Sequence, residues 1–397
     1  MGFAVPSYSS GACMMTYLRH LALAIALALP AASIVLAEEA KTVEELIVDL
    51  GSDDFQTRKR AAEVLLERGM AAHPALVTAS VSPDPTVKMQ AVNLLDEIVA
   101  KDRRERIAAF RAAEKDVSLP CWEQFREVTG DDAVARRIFA RMAESEWELF
   151  DLASNHPEEI DYAVYRRALE MRMRLYNTQS PPSMASVASL LLLTGSNEFD
   201  VTGPAFAELQ YSLSSRPITQ ALNNPEEADV VRKLFNHWIT HSVDSPYLSM
   251  QHRFSVLLLA IREDLQAGVL LARAIVEDPS PSSIQAIQNN LHMAYSILAI
   301  AKLGSTEDIP FLEKLFENDS DIVPVNQREP FESQVRDIAL AAAIHLSGRN
   351  PREFGFDRIT ADANYLFSYR TVGFASDVER SAAFEKWHKV SPALSGG

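Results

Sequence analysis

Glycine and cysteine are the scarce residues of this chain. Fourteen glycines in 397 residues, against about 7% in an average protein, exclude a collagen-like chain and lean towards helix, as does the abundance of alanine. Two cysteines, Cys13 and Cys121, exclude a disulfide-rich scaffold. Positive charge is also short: 38 Lys and Arg against 54 Asp and Glu give a net charge of −16. Nucleic acid is therefore not an expected partner, because binding phosphates needs a cationic surface that releases counterions. Apolar residues at 47% and charged residues at 23% exclude a wholly disordered chain and a polytopic membrane protein. Three common signatures are missing too: the G-x-S-x-G elbow, the phosphate-binding P-loop and the G-x-G-x-x-G fingerprint.

What is present begins with an address. Leu21 to Leu36 form a sixteen-residue apolar run behind Arg19 and His20 and ahead of Ala37-Glu38-Glu39. A basic flank, a short apolar core and a small residue at the boundary predict a secretory signal peptide over 1–37, cleaved after Ala37. The run is short for a spanning helix, which needs about 20 residues, and an uncleaved membrane anchor is the alternative. Export places the chain in a periplasm or outside the cell, with no integral membrane segment once the signal is removed. Removal takes out Arg19 and Cys13, leaving −17 over 360 residues and the single Cys121. Flanked by Pro120 and Trp122, with no basic neighbour to stabilise a thiolate, Cys121 is expected to be a buried, inert thiol.

From Lys41 onward the apolar spacing is that of helices. Thr42 with Glu45 predicts a capping box, and Gly51 a stop. A second helix is expected from Asp54 to Arg68, burying Phe55, Ala62, Leu65 and Leu66 and ended by Gly69. A third uses Leu76 and Val77. Pro83-Asp84-Pro85 then opens a long helix through Val87, Ala91, Leu94, Leu95 and Ile98. These helices repeat at an offset of 30: Leu46 maps to Leu76, Ser52 to Ser82, Asp54 to Asp84, Arg58 to Lys88, Ala61 to Ala91 and Leu65 to Leu95. The Asp suits a helix N-terminus, the Ala permits close helix approach, and the Arg or Lys can pair with the Asp of a neighbouring repeat.

The pattern Asp54-x-x-x-Arg58-x-x-Ala61-x-x-x-Leu65-x-x-x-Gly69, followed by Pro74-x-Leu76, resembles HEAT-like repeats of the armadillo type. Similar elements recur at Leu298 to Leu303, Gly304, Pro310 and Leu312, and at Val335-Arg336-Asp337-x-Ala339 with Leu346 and Gly348. The resemblance covers about 130 residues, with repeats near 30 residues rather than the usual ~40–47. It implies an all-α fold, an α-solenoid of stacked antiparallel helix pairs, which together with the signal segment makes an exported bacterial protein the expectation. It implies nothing about chemistry, because that architecture serves many roles.

The expected organisation is then a signal peptide (1–37), N-terminal HEAT-like repeats (38–113), a less regular helical middle segment (114–224), C-terminal HEAT-like helices (225–353) and an aromatic-rich tail with a terminal helix (354–397). In the middle, Trp122, Phe125 and Val128 share a face. A stripe of Tyr162, Tyr165, Leu169, Met173 and Tyr176 marks another helix, and Asn224-Pro225-Glu226-Glu227 a further helix start. The tail aromatics Phe354, Phe356, Tyr365, Phe367, Tyr369 and Phe374 are expected to pack along the last helices.

Few residues offer chemistry. His237 and His241 lie four apart on one helix face, as two metal ligands would. Trp238 stands where the catalytic Glu of H-E-x-x-H would be, and a third ligand would have to come from His252 or His292. The acids Glu144, Glu146, Glu148 and Asp151 read as capping and solvation, and the arginines Arg166, Arg167, Arg172 and Arg174 as a salt-bridged helix surface. No catalytic, cofactor or metal residue is assigned. The expected function is a scaffold that binds a protein partner of basic or polar surface. The alternative is a helical enzyme or metal protein built around His237 and His241.

Overall fold

A computed structural model describes residues 41–391, apart from Asn197, Asp200, Thr202, Asp244, Pro246, Tyr247 and the segments 279–285 and 323–331. The expected signal segment 1–37, its cleavage point at Ala37 and Cys13 lie outside the described residues. Among the described residues the fold is all-α: seventeen α-helices and one hairpin of two-residue strands, β1 (Ala361–Asp362) and β2 (Leu366–Phe367). No helix among them is long and apolar enough to cross a membrane. The chain divides into two compact units after Ala109.

The first unit holds α1 (Val43–Asp49), α2 (Phe55–Arg68), α3 (His73–Ala79) and most of α4 (Pro85–Arg111). Thr42 and Glu45 form the reciprocal capping box at the start of α1. Gly69 ends α2 at φ 57°, in the half of φ space that a side chain rarely adopts. The 30-residue repeat is present in the hydrogen bonds. Ser52 Oγ accepts from the Asp54 amide at 3.2 Å, and Ser82 Oγ from the Asp84 amide at 3.2 Å. Asp54 then accepts from the Thr57 amide at 2.9 Å, and Asp84 from the Thr86 amide at 2.8 Å. Leu46, Ala61, Leu65, Leu76, Ala91, Leu94 and Ile98 form the core between the helices.

Three expectations need correction here. Phe55 is 61% exposed: six residues before buried Ala61, it stands about 120° round the helix from that face, beneath the Arg58 guanidinium. Val77 is exposed, because only its neighbour Leu76 faces the core. Arg58 does not reach an aspartate of the next repeat; its Nη1 donates to the carbonyls of Ser52 at 2.6 Å and Asp53 at 3.0 Å.

The second unit begins with an aromatic nest. Phe110, at the end of α4, Trp122 and Phe125 of α5 (Trp122–Thr129), and Phe139 and Phe150 of α6 (Ala133–Asn155) pack with ring centroids 4.8–5.9 Å apart. Then come α7 (Ile160–Thr178), α8 (Met184–Thr194), α9 (Gly203–Leu213) and α10 (Arg216–Leu222). Every residue of α8 is buried, surrounded by α6, α7, α9, α10 and α11 (Ala228–Ser242). The start expected at Asn224 is a turn instead. Asn224 Oδ1 accepts from the Glu226 amide, its carbonyl accepts from Glu227 and Ala228, and α11 opens at Ala228.

The last helices are α12 (Met250–Arg262), α13 (Gly268–Glu277), α14 (Ala286–Leu303), α15 (Ile309–Glu313), α16 (Val335–Leu346) and α17 (Asp377–Val390). Successive members α12–α13, α13–α14 and α15–α16 are in contact, as are α14 and α16. Gly268 permits one close approach, since a Cβ there would lie 2.7 Å from the Ala260 Cβ. The aromatic tail packs on these helices: Tyr365 and Tyr369 meet Tyr295 of α14, and Phe354 meets Trp387 of α17. At α17, Ser376 accepts from the Glu379 amide, but Glu379 accepts from Ala375, one residue earlier than a capping box requires.

Candidate interaction surface

Exposed large apolar side chains are not spread evenly. Among the described residues, Val48, Phe55, Met70, Val77, Val81, Met89, Val92 and Val99 all lie in the first unit, against six in the much longer second unit. On α4, Met89, Val92 and Val99 share one side of the helix, away from the buried Ala91, Leu94 and Ile98. The repeat gives this exposure a meaning. Ile47 and Ala62 pack against the core, whereas the residues 30 positions later, Val77 and Val92, are open. The second repeat thus presents an apolar face at positions that the first repeat partly covers.

The residues singled out from sequence behave differently from one another. His237 and His241 do share a face of α11, with ring centroids 4.1 Å apart, because buried Trp238 anchors the helix by donating from Nε1 to Thr194 Oγ1 at 2.9 Å. His241 Nδ1 lies 2.9 Å from the His237 carbonyl. Burial holds the His237 pKa below its ordinary value, with the neighbouring His241 adding to the effect. Among the described residues no three His, Cys, Asp or Glu side chains gather where they could hold a metal ion. His292 instead packs against Phe254, with ring centroids 3.9 Å apart and the planes tilted by 37°.

Cys121 is buried, its thiol 3.6 Å from the Phe150 carbonyl. Burial pushes its pKa up to about 11, against a weaker opposing hydrogen bond from Ser154. Two of the four arginines pair on the helix surface: Arg166 with Glu170 at 3.7 Å and Arg172 with Glu208 at 2.9 Å.

One ion pair escaped the sequence reading. Glu146 is buried, at a point where α6 breaks helical geometry (φ −135°, ψ 37°). Arg167 of α7 grips it with one edge of the guanidinium: Nη2 to Oε1 at 2.6 Å and Nε to Oε2 at 2.8 Å. The bond from Glu146 raises the Arg167 pKa. Beside the pair lies a cavity of about 280 Å³ lined by Ser145, Arg167, Arg174, Ser183 and Ser186, among others. The available signal was a Glu between Met142 and Phe150 on an otherwise apolar stripe, read as one more solvated acid.

The α7 stripe is also corrected. Ile160, Val164, Ala168 and Met171 are its buried residues, while Tyr162, Met173 and Tyr176 are exposed. The smaller side chains let α9 pack closely against α7, and the larger aromatic set is left outside.

No protein-family model matches the chain, and neither a curated protein nor a solved structure matches it.

Proposed function

We propose that this protein is an exported HEAT-like α-solenoid scaffold, which binds a protein partner through the apolar side of its first unit. The observation that carries the reading is the exposure of Val77 and Val92, with Val81 and Met89 near them in sequence, where Ile47 and Ala62 one repeat earlier are partly buried against the core. Exposed apolar side chains concentrated on one part of a chain mark a candidate docking surface. Burying each such side chain fully is worth about 1.5–3 kcal/mol, against the freedom lost on association. The net charge of −16 favours a partner with basic or polar surface around the contact.

The test is capture from an envelope fraction at low and high salt, with wild type beside a Val81→Ser/Met89→Gln/Val92→Ser variant. Wild type is expected to retain a defined partner, more weakly at high salt. The variant is expected to lose that partner with an unchanged helical spectrum and melting curve. Equal retention by both proteins would refute this surface. Stoichiometric zinc in the purified protein would favour the alternative centred on His237 and His241.

A further inference from the structure

The cavity beside the Glu146–Arg167 pair is cationic, although the chain as a whole is acidic. It holds about 280 Å³, and its polar walls are Arg167, Arg174, Ser145, Ser180, Ser183 and Ser186. Arg167 and Arg174 stand seven residues apart on α7, about two turns, and so share a face. The carboxylates Glu146, Glu148 and Glu170 line the neighbouring hollow; none of them lines this one. Glu146 matches Arg167 and Glu170 matches Arg166. Arg167 gives one edge to Glu146, and its Nη1 has only a long 3.4 Å approach to Glu170. Arg174 is exposed and meets no carboxylate among the described residues. It is the cation left over on this face.

The donors come from three stretches of chain. Ser145 belongs to α6 and the arginines to α7. Ser180 and Ser183 lead into α8, with Pro181 and Pro182 fixing the backbone between them. Ser183 caps that helix: its Oγ accepts from the Ser186 amide at 3.0 Å, and its carbonyl from the Val187 amide at 3.2 Å. The amides of Met184 and Ala185 have no acceptor among the described residues, although both residues are buried. Such orphan amides at the start of a helix favour negative charge, and a guanidinium binds a pair of oxygens side by side. A tetrahedral oxyanion suits donors on three sides better than a planar carboxylate, which presents only two oxygens. We propose that this cavity binds a phosphate group, either inorganic phosphate or that of a small phosphomonoester, with Arg174 as its principal charge partner. The site uses no residue of the first unit, so it stands or falls separately from the scaffold reading.

Calorimetric titration of the full chain with inorganic phosphate and with phenyl phosphate is the test. Wild type is expected to take up a single phosphate per chain, saturably, with a rise in melting temperature. The Met171 methyl, which also lines the cavity, is expected to shift in a methyl NMR spectrum. Arg174→Gln removes a side chain that has no partner in the protein, so its unliganded melting curve is expected to match wild type. Its affinity for phosphate is expected to fall about tenfold or more, the usual scale for charge-assisted hydrogen bonds. Arg216→Gln, an equal loss of charge at the exposed start of α10, is expected to bind as wild type does. Tighter binding of phenyl phosphate than of inorganic phosphate would identify a phosphomonoester as the ligand, and the reverse order the free ion. No saturable binding of either probe, equal weakening by the two substitutions, or an Arg174→Gln chain that binds as wild type does would each overturn the proposal.

Discussion

Arg167 holds both carboxylate oxygens of Glu146 with one edge of its guanidinium, joining α7 to the one point where α6 departs from helical geometry. A carboxylate buried at a kink is costly unless its charge is matched, and here a single side chain matches it. Replacing Arg167 by Met is expected to destabilise the second unit by about 3 kcal/mol, because an unpaired carboxylate stays behind. The double replacement Glu146→Met/Arg167→Met is expected to recover most of that loss. Urea unfolding of both variants and wild type decides the matter; a single variant as stable as wild type would show that the pair is dispensable.

Acid is expected to weaken the fold before the carboxylates titrate. Burial holds His237, His252, His292 and His345 below the ordinary imidazole value of 6.5, and His241 adds to the effect at His237. Once unfolded they bind protons near 6.5, so below that value the unfolded chain carries more protons than the folded one, and stability falls with pH. The urea midpoint is expected to drop between about pH 7.5 and about pH 5.5, the range in which only histidine among ordinary side chains changes charge. His292→Gln should show a smaller drop. An identical drop would remove His292 from the account.

Cys121 is expected to resist thiol reagents at neutral pH while the protein is folded. Its pKa of about 11 leaves almost no thiolate, and the thiolate is the reactive form. Titration with a disulfide reagent should find the thiol slow in buffer and fast in urea. Rapid labelling of the native protein at Cys121 would contradict the burial described.

The proposed export makes a mass prediction. Protein recovered from the expressing cell is expected to begin at Glu38, which intact mass and N-terminal sequencing can read directly. A chain retaining Leu21 to Leu36 in a membrane fraction would favour the anchor instead.

Local punctuation was legible in the sequence, and the choice of face was not. Thr42, Glu45, Gly69 and Pro85 act within a few residues of themselves, so their spacing is sufficient to place α1, α2 and α4. Phe55, Val77 and the Tyr162 stripe failed for a different reason. Periodicity reports that apolar residues align on a helix, but when a helix carries two such lines, the neighbouring helix decides which turns inward. On α7 the line with Ala168 won because it admits α9 closely. Glu146 was missed because a paired buried acid and a solvated one look alike until the partner, 21 positions on, is brought beside it. Of the candidate surface, the thirty-residue repeat was visible in sequence, but its open face was not.

The burial of α8 on every side has a consequence for how the molecule comes apart. In an array of stacked pairs, each pair leans only on its neighbours, and ends can fray one at a time. A helix enclosed by five others cannot lose its surroundings piecemeal, since removing any one exposes the central rod to water. Hydrogen exchange should therefore find the amides of Leu190 to Leu193 opening only with the collapse of the whole second unit, while α1 and α2 exchange by local excursions of lower free energy.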